Sequence, residues 1–381
     1  MEVFDFPFVQ CHTTPVRFLM LNWRDPENPL AGGAERVTRG YLEALVQRGH
    51  DVYWFANSFP GAAREATIGG IRIIRGGGKG SSIFAARKWC RTQPRFDLVI
   101  DQHHGIPWFA PWWCGTNCIA YIHEVLGPIW SAFYQWPLSA IGRSQERWTH
   151  WLYRKVPFWT ACESTRDQLL KHGVREVKII RYGVHTVALT ELPPKVLAEP
   201  LKLAVVSRLA PNKRIDHAIQ TVAELNHRNV VAQLTIIGTG ECEPALREQS
   251  RTAGLQDLIR FTGPLPEQAK DQLLRESHLL LHTSQREGWG LNVIEANAMG
   301  TPAAVYPVEG LIESTLDNDT GVVARGEEPS LLAERIIELL RSPADYEKFR
   351  VNAWNRAKTF HWSRILPPAC DWLESMARVK A

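Results

Sequence analysis

Leu279-Leu280-Leu281, followed by Glu287-Gly288-Trp289-Gly290-Leu291-Asn292-Val293-Ile294-Glu295 and then Ala296-Asn297-Ala298-Met299-Gly300, is the stretch whose reading decides the fold. Three leucines in succession suit a buried strand, Gly288 and Gly290 break it, and the residues from Leu291 onward suit a helix that ends at Gly300. The first N–H groups of a helix have no partner within it and carry partial positive charge, which suits a phosphate. Glu287 stands in the loop and Glu295 about one turn inside the helix. One carboxylate is therefore placed for a sugar hydroxyl and the other for a ribose, with a phosphate between them. Strand, loop and helix in that order are one half of a βαβ unit.

The same rhythm runs outward in both directions. In the first half, Val16 to Leu21 reads as a strand, a loop from Pro26 to Gly33 follows, and a helix is expected from Ala34 to Arg48, stopped by Gly49. Further strands are expected at Val52 to Phe55, Ile71 to Ile74, Leu98 to Ile100, Cys118 to Ile122 and Val177 to Ile180. A proline-rich connector, Glu191 to Pro200, interrupts the pattern. It restarts with strands at Leu203 to Val206, Gln233 to Ile237 and Ile259 to Phe261, separated by helices at Ile215 to Asn226 and Pro244 to Ala253. Helical stretches from Ser342 to Lys358 and Trp362 to Met376 close the chain. Strands separated by helix-length segments imply parallel sheets. The expectation is an α/β chain of two Rossmann-like domains with a cleft between them, residues 1–190 and 200–360, the last helix (361–381) returning to the first domain.

The candidate functional residues lie at the carboxyl ends of expected strands, where open parallel sheets bind ligands. Ser207-Arg208-Leu209-Ala210-Pro211-Asn212-Lys213-Arg214 directly follows a strand, and Arg208 and Lys213 supply fixed cations for the charge that builds on a departing diphosphate. Gly238-Thr239-Gly240 also follows a strand, where glycine permits a tight turn beside a ligand; a plain strand-to-helix turn explains it equally. Gly32-Gly33-Ala34-Glu35 opens a helix. His123 follows one strand and His103-His104 another, and a neutral imidazole there can hydrogen-bond a sugar without a permanent charge. Asp317-Asn318-Asp319 has the spacing of a metal motif, but its setting in a hydrophilic turn before Gly321 favours turn chemistry. No metal ligand set is expected.

With 381 residues the chain is long enough for two cores, and 45% apolar with 22% charged residues is the balance of a soluble globular protein rather than a disordered or membrane-spanning one. The first residues lack a secretory pattern, which makes a cytoplasmic location the expectation. Seven cysteines without paired spacing are read as reduced thiols. Lys and Arg exceed Asp and Glu by seven over residues 1–187, while the remainder is net acidic. Eight of the fifteen tryptophans fall between Trp108 and Trp159, interleaved with Arg143, Arg147, Arg154 and Lys155. Core packing accounts for such a cluster, and so does peripheral contact with an inner membrane face through residues 108–159.

Taken together, Gly32-Gly33-Ala34-Glu35, His123, Arg208 with Lys213, Gly238-Thr239-Gly240 and Glu287-x7-Glu295 resemble glycosyltransferase family four, retaining enzymes of the GT-B fold. The resemblance covers nearly the whole chain and is strongest from Leu201 to Gly326. It implies that Arg208 and Lys213 hold the donor diphosphate, Glu287 contacts the donor sugar, Glu295 binds ribose, and the backbone amides of Gly290 and Leu291 support the phosphates. Gly33, Gly238, Gly240 and Asn292 complete the expected donor site, and His123 matches the family histidine near the donor sugar. Ser207 replaces the usual glycine, Trp289 the usual phenylalanine, and Arg181-Tyr182-Gly183-Val184-His185 departs from the common Asn-Gly-Val-Asp.

The expected reaction is transfer of a hexose-type sugar, with retention, from a UDP- or GDP-sugar (UDP favoured) to a hydroxyl of a saccharide or lipid-linked saccharide, in polysaccharide or glycolipid assembly. No cofactor, metal or nucleic acid is expected to take part. A nucleotide-sugar epimerase and a catalytically silent nucleotide-sugar-binding protein are the alternatives. A nicotinamide dehydrogenase is disfavoured because no Gly-x-Gly-x-x-Gly follows the first strand.

Overall fold

A computed structural model of the protein describes residues 14–78, 80–103 and 105–379. His104 and the first five residues, both used in the sequence reading, lie outside the described residues. The chain forms two units, one from its first 181 residues with residues 363–381, the other from Tyr182 to Trp362.

The first unit contains β1 (Arg17–Leu21), α1 (Gly33–Gln47), β2 (Asp51–Ala56), β3 (Glu65–Ile68), β4 (Ile71–Arg75), α2 (Ser82–Cys90), β5 (Leu98–His103), β6 (Asn117–Ile122), α3 (Trp130–Phe133), α4 (Leu138–Leu152), β7 (Phe158–Thr160), α5 (Glu163–Lys171) and β8 (Val177–Ile179). Its sheet runs β3-β4-β2-β1-β5-β6-β7-β8. All pairings are parallel except β3 with β4. β3 was missed in the sequence because an edge strand with alternating exposure carries no apolar run. One core cluster packs Leu19, Phe55, Val99 and Trp108 beneath the sheet, with Trp23 stacked on Trp108 at 4.4 Å between centroids.

The second unit contains β9 (Leu201–Val206), α6 (Ile215–His227), β10 (Ala232–Ile237), α7 (Glu243–Thr252), β11 (Ile259–Gly263), α8 (Glu267–Glu276), β12 (Leu279–His282), α9 (Leu291–Ala298), β13 (Ala303–Val305), α10 (Leu311–Ser314), β14 (Gly321–Val323), α11 (Pro329–Leu340) and α12 (Pro343–Ala357). Its sheet is parallel throughout, in the order β11-β10-β9-β12-β13-β14. The three-residue strands β13 and β14 are too short for periodicity to reveal. The second unit begins at Tyr182 and so takes in the connector, Glu191 to Pro200, which is held there by its own contacts and by those of the residues just before it. The Leu189 amide bonds the Ala298 carbonyl at 3.1 Å. Lys195 Nζ donates to the Ser277 carbonyl at 2.6 Å. The fully buried Arg350 donates to the Pro193 carbonyl at 2.7 Å. Gly183 is demanded by the Trp362 ring, since a Cβ there would lie 2.3 Å from Trp362 Cδ2.

The final helix, α13 (Trp362–Arg378), buries Leu366, Ala369, Cys370 and Leu373. Beyond Trp362 it belongs to the first unit. Glu374, on its inner face, accepts from Arg48 Nη1 at 2.9 Å and sits 3.1 Å from His50 Nε2. Asn117 Nδ2 donates to the Met376 carbonyl at 3.1 Å. Burial pushes the Glu374 carboxyl up, but the hydrogen bonds and charges of Arg48 and His50 outweigh it and hold the group below its ordinary value. A carboxyl lowered on folding stabilises the folded state fully above its unfolded pKa, and that contribution is lost as pH falls from there through the folded pKa. We predict that Glu374→Ala destabilises the first unit by about 1–3 kcal/mol, because Arg48 and His50 lose a buried acceptor while Arg48 keeps its bonds to Asp371 and the Pro367 carbonyl. Guanidinium denaturation at neutral pH measures this, and the difference from wild type is expected to shrink as the pH is lowered below the ordinary carboxylate range.

Candidate functional site

In the second sheet the chain winds from β9 outward through β10 to β11, then returns to add β12 on the other side of β9. The loops that leave β9 and β12 therefore diverge at their carboxyl ends, and such a reversal is where parallel sheets leave room for a ligand. Arg208 and Lys213 stand on the first of these loops, Glu287 and Gly290 on the second.

The two loops are tied to each other. The Gln285 amide donates to the Asn212 carbonyl at 2.9 Å. Thr283 Oγ1 donates to the Arg214 carbonyl at 2.8 Å, and Arg214 holds a left-handed backbone, φ 47°, to make that approach. Asn292 Nδ2 donates to the Val206 carbonyl at 2.8 Å, fixing the start of α9 to the end of β9. The third loop joins through backbone bonds, Leu209 N to the Thr239 carbonyl and Cys242 N to the Leu209 carbonyl, both 3.0 Å. Gly238 and Gly240 make this contact sterically feasible, since a Cβ on either would come within 1.9 Å of the Ser207 oxygen or 2.3 Å of the Leu209 oxygen. Their glycine identity is thus explained by the chain itself.

At the centre, Lys213 Nζ pairs with Glu287 Oε1. Ser284 Oγ donates to the same oxygen at 3.0 Å, and His282 Nε2 lies 3.5 Å from it. Burial pushes the Glu287 carboxyl up, but the charge of Lys213 and the hydrogen bonds from Lys213 and Ser284 more than offset this and bring it below its ordinary value. Glu287 is ionised at neutral pH. His282 is 5% exposed, and its burial lowers the imidazole to about 4 against the opposing pull of Glu287, so it stands neutral beside the carboxylate. Gly290 caps α9 at φ 82°, leaving the first amides of the helix, Leu291 and Asn292, without intrahelical acceptors. Arg208 is exposed on the same loop as Lys213 and makes no ion pair among the described residues.

Glu295 lies inside α9 and is buried, and it is not at the centre. Its Oε2 accepts from Lys270 Nζ of α8 at 3.0 Å, both side chains being under 10% exposed. Burial lowers the Lys270 ammonium, but Glu295 and Glu267 raise it further, so the lysine stays charged. The Glu-x7-Glu pair therefore divides, Glu287 with the Lys213 cluster and Glu295 with Lys270.

His282, Ser284 and Lys270 were not read as site residues. His282 ends a strand whose apolar run dominated the reading, and Lys270 sits in an ordinary amphipathic helix with no signal of its own. Gly310 was missed too: at φ 80° a Cβ there would lie 2.2 Å from the Glu287 carbonyl oxygen, so it sets how closely the loop after β13 approaches Glu287. Trp289 is 2% exposed and packs on Phe360 at 5.4 Å between centroids, which makes it a core residue. Asp317 accepts from the Val323 amide and from Arg335 Nη2, each at 2.8 Å, and Asp319 from Asn352 Nδ2 at 2.7 Å. That segment is a braced turn.

In the first unit the reversal falls between β1 and β5. Gly33 is the first residue of α1, and the Glu35 carboxylate accepts from the Gly32 amide at 2.8 Å. A Cβ on Gly32 or Gly33 would meet nothing within 4 Å. His123, just past β6, has its Nε2 2.9 Å from Gln102 Nε2 and its Nδ1 3.5 Å from the Tyr121 hydroxyl. His103, expected in a loop, is the last residue of β5 and is buried; burial lowers its imidazole to about 3.

Two family descriptions match the chain, "Glycosyltransferase Family 4" over residues 31–187 and "Glycosyl transferases group 1" over residues 192–356. Glycogen synthase of Mycobacterium tuberculosis is 26% identical over 396 residues, 92% of each chain. Sucrose-phosphate synthase from Thermosynechococcus elongatus superposes with a TM-score of 0.76 at 16% identity, over 96% of this chain and 100% of that one. The Anabaena protein Alr3699/HepE in complex with UDP-glucose gives 0.72 at 16% identity, over 94% and 99%. With two Rossmann-like sheets and these relatives, the chain belongs to glycosyltransferase family 4 and is a glycosyltransferase of the GT-B fold.

Proposed function

We propose that this enzyme moves a hexose-type sugar from a UDP-sugar, in preference to a GDP-sugar, to a hydroxyl of a saccharide or lipid-linked saccharide with retention of anomeric configuration. The observation that carries the reading is the Lys213–Glu287 pair beside the capped start of α9, at the winding reversal of the second sheet. A departing nucleoside diphosphate concentrates charge on its terminal phosphate. Lys213, Arg208 and the amides of Gly290 and Leu291 supply fixed positive charge there, and a donor of that kind is worth roughly 3–4 kcal/mol of barrier when lost. Glu287, ionised and held by Lys213 and Ser284, orients the sugar and offsets positive charge that develops on its ring. The leaving phosphate accepts the proton of the attacking hydroxyl, so no side chain is assigned as base. Cations in these positions let the reaction run without a metal, and no cofactor is assigned. Gly238 and Gly240 shape the floor of the donor site, with Asn292 locking the helix start in register.

Glu295 receives the ribose hydroxyls in this reading, and Lys270 is the positioning residue that aims its carboxylate. On the first unit we assign Gly33 and His123 to the sugar and its acceptor. The UDP preference draws on the nucleotide bound to the Anabaena relative, and a role in polysaccharide or glycolipid assembly draws on the glycogen synthase likeness.

A thermal-shift panel of UDP, GDP and their hexose conjugates, followed by NMR of the glycosidic product, tests the proposal. At a hundredfold excess over Kd, UDP-sugar is expected to raise the melting point by about 5–10 °C, the product to keep the donor's anomeric configuration, and EDTA to leave turnover unchanged. An inverted product, metal-dependent turnover, or epimerisation of donor alone would overturn it. Arg208→Ala and Lys213→Ala are expected each to lower kcat by about 10²- to 10³-fold with the circular dichroism unchanged. Lys270→Met is expected to weaken UDP binding while leaving KM for the acceptor unchanged; equal effects on both would assign Lys270 a purely structural part.

A further inference from the structure

The tryptophan-rich segment of the first unit separates into two populations. Trp108 and Trp159 are core residues, 0% and 1% exposed, whereas Trp136 is 80% exposed and Trp148 and Trp151 are half exposed. Among the described residues, nine of the eighteen exposed large apolar side chains fall between Ile106 and Leu170, so the exposure is local rather than scattered. They concentrate on α4 and the turn before it. Ile141, Ser144, Trp148 and Trp151 recur at helical spacing along one face, while Ser139, Gly142, Glu146, Thr149 and His150 occupy the buried face. Tyr134, Trp136 and Leu138 extend the apolar surface through the preceding turn.

The charge on this surface has one sign. Arg143, Arg147 and Lys155 are exposed, and the Arg154 guanidinium lies over the Trp151 ring at 4.2 Å from its centroid. Between Val125 and Cys162 the single acidic residue is Glu146. It is turned inward, 4% exposed, and accepts from the amides of Leu126 and Gly127 at 2.6 and 2.8 Å. A helix with tryptophan on its outer face, arginine alongside and its carboxylate withdrawn matches an interface of apolar chains beneath anionic headgroups. No helix among the described residues is long and apolar enough to cross a membrane, so such contact lies in the plane of the surface.

We propose that the Tyr134–Leu138 turn and the outer face of α4 form a docking surface for an anionic lipid bilayer. Trp136, Ile141, Trp148 and Trp151 seat at headgroup depth, and Arg143, Arg147 and Lys155 pair with lipid phosphates. This surface is independent of the donor site and stands whether or not the transfer reaction above is right.

Flotation of the full chain with phosphatidylcholine vesicles, with and without phosphatidylglycerol, tests it. The wild type is expected to float with phosphatidylglycerol vesicles at low salt and to be released at high salt. Arg143→Glu with Arg147→Glu is expected to lower the bound fraction by roughly tenfold or more, and Trp148→Ser with Trp151→Ser by a similar factor. Both variants alter exposed residues, and an unchanged circular dichroism spectrum together with the wild-type melting shift by UDP-sugar would establish that they fold. No flotation at low salt would overturn the proposal, as would flotation unaffected by either variant. So would a dimer in light scattering that the tryptophan variant dissociates without any vesicle binding, which would make the surface an interface between two copies.

Discussion

The winding reversal between β9 and β12 is the constraint on which the candidate site depends. Parallel strands force every connection to cross from one end of the sheet to the other, so each strand delivers a loop to the same edge. Only where the winding changes direction do two neighbouring loops part instead of packing over each other. In the second unit those loops carry Lys213 and Glu287, and the chain spends several hydrogen bonds, from Gln285, Thr283 and Asn292, in fixing the gap between them. The geometry of the charged pair is therefore a property of the sheet order before it is a property of the side chains.

Within that frame the Lys213–Glu287 pair has a defined capacity. A lysine ammonium has three donors, of which one faces Glu287. Glu287 is held by Lys213 and Ser284, and the neutral His282, 3.5 Å from the same oxygen, adds no second permanent charge. A carboxylate this well satisfied costs little reorganisation when charge develops next to it, which is the condition for electrostatic stabilisation of a transition state. Lys270 and Glu295 repeat the device one turn along α9 in a drier setting, where an unpaired member would be costly.

Much of this was legible in the residues. The strands β1, β2, β4, β9 and β10 announced themselves by apolar runs, and the helices α1 and α6 by their period, because each buries one continuous face. β3 and the three-residue β7, β13 and β14 did not, since an alternating edge strand carries no apolar run and three residues establish no period; β8 is equally short, and the apolar pair Ile179-Ile180 at its end marked it. The charged loops could be placed at strand ends from order alone. Their partners could not: Lys270 reaches Glu295 from another helix, and Ser284 and His282 matter only because the loop folds back on them. The tryptophan cluster is the same lesson in reverse, for composition located it but only the fold separates Trp148 and Trp151, on the outer face of α4, from Trp108 in the first core and Trp159 in β7.

Glycine shows why a motif alone underdetermines a site. Gly238, Gly240 and Gly310 are each required by a backbone oxygen that would collide with a Cβ, so the folded chain accounts for them without any ligand. Gly32 and Gly33 differ, because a side chain there would meet nothing and Gly32 sits in extended backbone, φ −141°. Glycine is a good N-cap, which accounts for Gly32, and the folded chain does not by itself require glycine at Gly33. In the second unit the glycines build the loops; in the first they leave clearance. A sequence pattern that treats both as one kind of phosphate-binding turn merges two physical causes that only the positions of neighbouring atoms can separate.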